Sequence, residues 1–370
     1  MLVTLTILAL SSILLPGCSQ QHDPDLETEF KTWMAKYSKE YANMEEFGER
    51  LELFKSNKIM IMEENRKMQG HQLALNQFAD MSQSEFKSKV LMPKRRASSF
   101  PPERYAQRVD IRDVDLPDSF DWREKGIVTP VKDQGTVGTC WAFSTIENIE
   151  SQWAKAGHTL TSLSVEQLVD CDNTVDPKNM HADCGVFGGW PYLAYDYIKT
   201  MGGLESEQDY PYCSGTGKCY PCATSKYNKT RCGPPTPYCR KNDSCDARLD
   251  SMKFVPGLRV LDWVAIRGEE TEMMSQLVTR GPLSILINAE FLQFYHSGVW
   301  SPPKFLCGND TDHAVLLVGY GTEKVLFGEK PYWLVKNSWG MKWGMDGYFK
   351  LERGKGICGV ETGVTSAVVS

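Results

Sequence analysis

The chain has 370 residues, 41% of them hydrophobic, and a formal net charge of −6 from 41 basic and 47 acidic side chains. That suffices for a large core in about two domains. The six histidines are scattered and no long basic run dominates, so neither nucleic acid nor a metal or other cofactor is expected. At the N-terminus, Leu2 to Leu15 is uncharged and apolar or small, too short to cross a bilayer, with Gly17 and Ser19 beside it. We read residues 1–19 as a secretory signal peptide, over a buried terminal helix or, from "LPGC", a lipoprotein box. No later run reaches about 18 apolar residues, so no membrane span is expected.

Secretion makes the cysteines informative. Of 12, Cys18 falls in the signal; eleven remain, and an odd number predicts one free, reactive thiol. Residues 20–90 are charged and helical in pattern, without cysteine. Residues 91–115 hold three prolines, paired serines and many charges, and read as an exposed linker open to proteolysis. From Leu116, tryptophan, glycine and cysteine become frequent, which places a domain at 116–370. Within it, Cys140 to Gly157 predicts an amphipathic helix with Phe143, Ile146, Ile149 and Trp153 on one face. Ser164 to Cys171 and Pro191 to Met201 predict two more. "AVLLVGYG", "YWLVKNSW" and "GYFKLERG" then predict strands, so the class is α+β.

The block from Cys213 to Cys245 carries Cys213, Cys219, Cys222, Cys232, Cys239 and Cys245 with few aliphatic residues, so disulfides must hold it. "CYPC" inside it has the spacing of a redox motif or half a zinc site; without a nearby histidine, structural disulfides are preferred. Asn228, Asn242 and Asn309 head glycosylation sequons and belong on the surface.

A cysteine nucleophile needs thiolate character, a base, an orienter for the base, and oxyanion donors. Cys140 opens a predicted helix, whose dipole favours a thiolate. Gly135 and Gly138 allow a sharp turn before it, and the Gln134 amide can donate to an oxyanion. His313, just before an apolar run, is the base candidate. The Asn337 amide oxygen can orient it, and Trp339 can shield their hydrogen bond. Singly each is weak: a cysteine in a secreted chain is usually a disulfide half, and a lone histidine usually a surface or capping residue.

In this order, these residues resemble the papain-like cysteine peptidases. "LPDSFDWREKGIVTPVKDQG" resembles the mature N-terminus of that family, "QG…CWAFS" its nucleophile motif, "DHAVLLVGYG" its histidine motif, and "YWLVKNSWG…WG…GYF" its asparagine motif. The resemblance implies Cys140 as nucleophile, His313 as general acid–base, Asn337 as orienter and Gln134 as oxyanion donor. It also implies Trp339 as shield and Trp343 as a wall on the leaving-group side. Glu46, Arg50, Phe54, Asn57, Ile61 and Asn65 match in order and spacing the ERFNIN face of the family's pro-segments, and "ALNQFADM" resembles the motif that follows. The implied fold is a papain-like pair of lobes, one helical and one β-barrel-like, with an α-helical pro-segment inhibiting its own cleft and released by cutting near 109–115. The chain around His313 is most similar to cathepsin F, while the ERFNIN face is of cathepsin L type.

The implied protein is a secreted or lysosomal cysteine endopeptidase zymogen, monomeric, acting on proteins and peptides. Gly188, Gly189, Trp190, Pro191, Leu286, Ala289 and Gly363 are the implied substrate-binding residues; none is charged, so an apolar or aromatic side chain is expected before the scissile residue. Leu286 and Ala289 fit plain core nearly as well. Alternatives are a catalytically silent binding protein on a peptidase scaffold and a Cys-His acyltransferase.

Two departures stand out. Val137 and Val186 occupy the positions of a family disulfide, so an apolar contact is expected instead. Cys184 is then extra; Cys307 and Cys358 resemble the C-terminal bridge, and Cys171 one half of another, its partner in the block from Cys213. Cys140 and His313 lie 173 residues apart, the Cys-rich insert supplying the excess about where cathepsin B carries its occluding loop. That loop uses histidines, and none occurs between His181 and His296, so endopeptidase action is expected.

Overall fold

The computed structural model describes residues 24–67, 70–96, 100, 102–108, 116–216, 219, 228–233, 245–303, 306–325 and 328–370. The expected signal peptide, residues 109–115, Cys222, Cys239 and Asn242 lie outside the described residues. The chain divides into two compact units between Leu51 and Glu52.

The first unit holds α1 (Pro24–Tyr37) and the start of α2 (Met44–Arg66). Asp25 and Glu27 in the first turn of α1 and Lys36 in its last complement the helix dipole. The core is aromatic: buried Phe30 stacks on Trp33 and Tyr41 and meets Phe47 edge-on at 5.3 Å. Glu46 accepts the Ala42 N–H at 2.8 Å while its own N–H is capped by Asn43 at 2.9 Å.

In the second unit the remainder of α2 buries Phe54 and Ile61. Its two asparagines act as backbone clamps. Asn57 Nδ2 donates to the Ala79 and Met81 carbonyls at 2.9 and 3.0 Å. Asn65 accepts the Leu73 N–H at 2.8 Å and donates to the Leu73 carbonyl at 2.9 Å. This secures β1 (His71–Leu73), a strand too short to show a period in sequence. Next comes α3 (Gln83–Lys89), begun by a reciprocal Ser82–Glu85 capping box. The expectation of an exposed linker from residue 91 does not hold for its first residues: Leu91 and Met92 are buried, and β2 (Arg95–Arg96) pairs with β9 (Asp310–Thr311).

β3 (Phe120–Asp121) opens the region from Leu116. The helical lobe follows: α4 (Cys140–Lys155), α5 (Glu166–Cys171), the small hairpin β4 (Val175–Asp176) and β5 (His181–Ala182), and α6 (Pro191–Met201), ended by Gly202 at φ 81°. Phe143, Ile146, Ile149 and Trp153 of α4 are all buried, in a core shared with Leu168, Tyr195 and Ile198. The insert contributes α7 (Lys229–Cys232) and α8 (Cys245–Arg248) and is tied down by Cys171–Cys245, Cys184–Cys232 and Cys213–Cys219. Cys171 thus finds its partner in the insert, as expected.

The β lobe holds β6 (Val260–Ala265), α9 (Glu270–Arg280), β7 (Leu283–Ile287), β8 (Tyr295–Trp300), β10 (His313–Val325), β11 (Gly328–Lys336), β12 (Tyr348–Glu352) and β13 (Thr365–Val369). The sheet runs β1-β8-β12-β11-β10-β7-β13-β6, with β3 also on β10, and forms no closed barrel among the described residues. All pairs are antiparallel except β12 with β8. Cys307–Cys358 closes this lobe. Trp333, Trp339, Trp343 and Phe349 fill its core together with Phe78, Phe86 and Leu91 from the N-terminal segment. An ion-pair network joins the lobes: Lys336 Nζ on β11, fully buried, lies 2.8 Å from Glu147 on α4 and donates to Thr129 at 3.1 Å. Thr129 in turn donates to Glu150, which also pairs with Lys132.

Candidate active site

Cys140 is the first residue of α4 and the free cysteine among the described residues. The preceding turn is forced by Gly135 at φ +68°, where a Cβ would lie 1.9 Å from the Gly215 carbonyl. Thr139 does not cap the helix; its hydroxyl bonds Tyr212 at 2.8 Å instead. The first N–H groups of α4 therefore lack the usual side-chain acceptor and face the site with the positive end of the dipole.

His313 begins β10 and is fully buried. Its Nε2 lies 2.8 Å from Asn337 Oδ1, at the turn after β11. That oxygen also accepts the Ser338 N–H at 2.8 Å, which identifies it as an acceptor. His313 Nε2 must then donate, leaving the Nδ1 lone pair, which has no hydrogen-bond partner, to take a proton. The Ala314 N–H, next in the chain, is directed at the Cys140 sulfur. Trp339 stacks on the imidazole at 4.8 Å, and Trp343 meets Trp339 edge-on at 4.7 Å. Burial pushes the Cys140 thiol up to about 12 and the His313 imidazole down to about 4. Both groups are thus neutral at pH 7 in this covered state.

The cover is the N-terminal segment. Phe78 and Phe86 pack edge-on against Trp339 at 5.6 and 5.3 Å. Gln134 Nε2 donates to the Val90 carbonyl at 2.9 Å and the Val137 carbonyl at 2.7 Å. The Met92 N–H donates to the Asp312 carbonyl at 2.8 Å, while its sulfur accepts the Gly189 N–H at 3.4 Å. Residues 90–92 therefore span from the Gly188–Gly189 wall to the wall before His313.

Of the expected substrate-binding residues, Gly188, at φ +104°, lies against the Met92 side chain, as Gly189 does through its N–H. Trp190 is buried, its N–H bound to Asp183 at 2.6 Å, and Pro191 starts α6. Leu286 faces Ala314 across β7 and β10 within the helical-lobe core, and Ala289 is core of the β lobe. Gly363 is half-buried at φ +67°. The Gly138 N–H donates to the Val186 carbonyl at 2.9 Å, so the segments bearing Val137 and Val186 do run side by side. Asn309 is exposed, and Asn228 is half-buried, capping α7.

Two positioning groups were missed in sequence. Ser338 Oγ donates to Gln134 Oε1 at 2.7 Å, and the Tyr212 hydroxyl donates to the Gln134 carbonyl at 2.8 Å. Ser338 lies between Asn337 and Trp339 in the asparagine motif, but nothing in the pattern distinguishes Tyr212.

Residues 116–368 match the family described as "Papain family cysteine protease", and residues 30–86 match "Cathepsin propeptide inhibitor domain (I29)". The chain is 36% identical to cysteine proteinase 15A of Pisum sativum over 95% of its own length and 89% of the relative's. It is 36% identical to cathepsin F of Mus musculus over 92% of its length and 64% of the relative's. Among solved structures it is similar to digestive procathepsin L 3 of Tenebrio molitor, with TM-score 0.72 and 28% identity, covering 93% of this chain and 99% of that one.

Proposed function

The chain belongs to the papain family of cysteine proteases and carries that family's inhibitor propeptide, and from this premise we propose that it is an endopeptidase zymogen in which Cys140 is the nucleophile and His313 the general acid–base. The observation that carries the reading is the fixed tautomer of His313. Asn337 Oδ1, held by the Ser338 N–H, directs the lone pair of Nδ1 outward from the Nε2 anchor. Loss of the propeptide rehydrates the site, and the thiol proton moves to Nδ1, giving a thiolate–imidazolium pair favoured by the α4 dipole.

The thiolate attacks the peptide carbonyl carbon, and the oxyanion is met by the Gln134 amide and the Cys140 N–H. His313 gives its proton to the departing amine, and water activated by the same imidazole then hydrolyses the thioester. Trp339 keeps water from the His313–Asn337 bond, and Trp343 walls the leaving-group side. Gly189 offers its N–H to an extended substrate, with Gly188, Trp190, Pro191, Leu286, Ala289 and Gly363 around an apolar subsite. A histidine-free insert supports endopeptidase rather than dipeptide-releasing action.

In this reading residues 1–19 are a signal peptide, 20–90 the inhibitor, and 116–370 the peptidase after cutting near 109–115. Four disulfides among the described residues and the sequons at Asn228, Asn242 and Asn309 support transit through the secretory pathway, to a lysosome or outside the cell. No helix among the described residues is long and apolar enough to cross a membrane.

The test is labelling with an epoxide inhibitor after acid activation, comparing wild type with Cys140→Ser. Label confined to wild type at Cys140 is expected; label surviving in the variant removes Cys140 from its role. Peptide cleavage products in the presence of an added amine separate hydrolysis from acyl transfer.

A further inference from the structure

One carboxylate beside the site receives two ammonium groups. Lys87 Nζ lies 2.8 Å from Glu290 Oε1, and Lys94 Nζ lies 2.7 Å from Oε2. Lys87 is in the last turn of α3 and Lys94 is two residues past Met92, so the lysines bracket the stretch that crosses the cleft. Lys87 also lies over the Phe291 ring at 5.9 Å. Covered in this way, the Glu290 side chain is 12% exposed.

Glu290 is joined to the reacting groups by backbone. The preceding residue, Ala289, donates its N–H to Asp312 Oδ1 at 2.7 Å, and Asp312 immediately precedes His313. Three residues after Glu290, the Gln293 carbonyl accepts Trp343 Nε1 at 3.3 Å. Glu290 therefore stands on the Trp343 wall, across the cleft from Gly188 and Gly189. Among the described residues its cationic partners are Lys87 and Lys94 alone, and both precede the proposed cut near 109–115, so they leave with the N-terminal segment. When that segment leaves, a carboxylate remains at the rim with an apolar ring beside it. Asp312 adds a second acidic group nearby, which Lys87 and Lys94 also face.

We propose that Glu290 is a specificity-determining residue: in the activated enzyme it selects substrates bearing a lysine or arginine side chain on the leaving-group side of the scissile bond. Lys87 and Lys94 of the N-terminal segment fill the position that such a side chain takes in a substrate. This deepens the reading of the site given above and rests on it.

The full chain is activated by acid, its active sites are titrated with an epoxide inhibitor, and it digests a peptide library whose cleavage windows are read by mass spectrometry. Lysine and arginine are expected to be enriched at the first or second leaving-group position. On paired fluorogenic peptides differing only by lysine or norleucine there, the wild-type kcat/KM ratio should be about 10, falling to about 1 in Glu290→Gln and below 1 in Glu290→Lys. An active wild type without that enrichment overturns the inference. So does an enrichment that survives in Glu290→Gln, or a variant that only activates faster with its ratio unchanged, since Glu290 would then be an anchor for the inhibitor alone. A chain in which the epoxide titrates no active site overturns both this inference and the peptidase mechanism beneath it.

Discussion

The Gln134 side-chain amide donates to the carbonyl of Val90, 44 positions earlier in the chain, at 2.9 Å. A backbone carbonyl of the inhibitor thus takes the donor that the proposed mechanism reserves for the oxyanion, and Val137 uses the other amide hydrogen. Gln134→Ala is expected to lower kcat of the activated enzyme by about 10²–10³, with KM moved far less, because the donor acts on charge that develops in the transition state. Steady-state kinetics against titrated active sites decide it; a change confined to KM speaks against an oxyanion role.

Cys140 reactivity should follow the cover. With its thiol pushed up to about 12 and His313 down to about 4, both by burial, neither is charged between pH 5 and 8 in the zymogen. Uncovering relieves both penalties, so the thiol pKa falls and the imidazole pKa rises. Alkylation of Cys140 by iodoacetamide at pH 6 should be at least about 100-fold slower in the zymogen than in the activated enzyme. Mass spectrometry of the Cys140 peptide over time measures this, and equal rates would show that the inhibitor does not control ionisation.

Lys336 and Glu147 form a buried pair between the lobes. Burial holds the Glu147 pKa above the usual carboxylate value, and Lys336 and Lys132 offset that only in part. Lys336→Met strands the carboxylate and should cost about 3–5 kcal/mol in urea unfolding, while adding Glu147→Leu should recover most of it. A double variant as unstable as the single one would locate the cost in packing instead.

The adjacent backbones at Val137 and Val186 invite a staple. Val137→Cys with Val186→Cys should oxidise spontaneously and add about 2–4 kcal/mol of stability, less any strain. A 137–186 linked peptide in a non-reducing digest and a raised Tm are expected, with Cys140 still titratable by the epoxide. Two free thiols would mean that the side chains diverge.

Local patterns carried much of this protein. The face of α4 from Phe143 to Trp153, the helix Pro191–Met201 and the strands β10, β11 and β12 are readable because periodicity reports which side meets the core, whereas β13 is not. Cysteine parity pointed to one free thiol, and Cys140 is free. Asn57 and Asn65 are visible as matching positions, but not as backbone clamps, because which carbonyl a side-chain amide reaches depends on how α2 packs on the chain that follows it. The burial of Leu91 and Met92 is not legible in sequence, since composition records the neighbouring prolines and charges, not what the chain lies against.

Residue chemistry and order, which sequence preserves, determined the reaction class: a thiol, an imidazole and an amide in the right succession admit few uses. The tautomer of His313, the seating of Val90 on Gln134 and the capture of Lys87 and Lys94 by Glu290 were decided only by tertiary structure. Each depends on distances of about 3 Å between groups tens to hundreds of positions apart, and hydrogen bonds and ion pairs fade too steeply with distance and angle to be read from order alone.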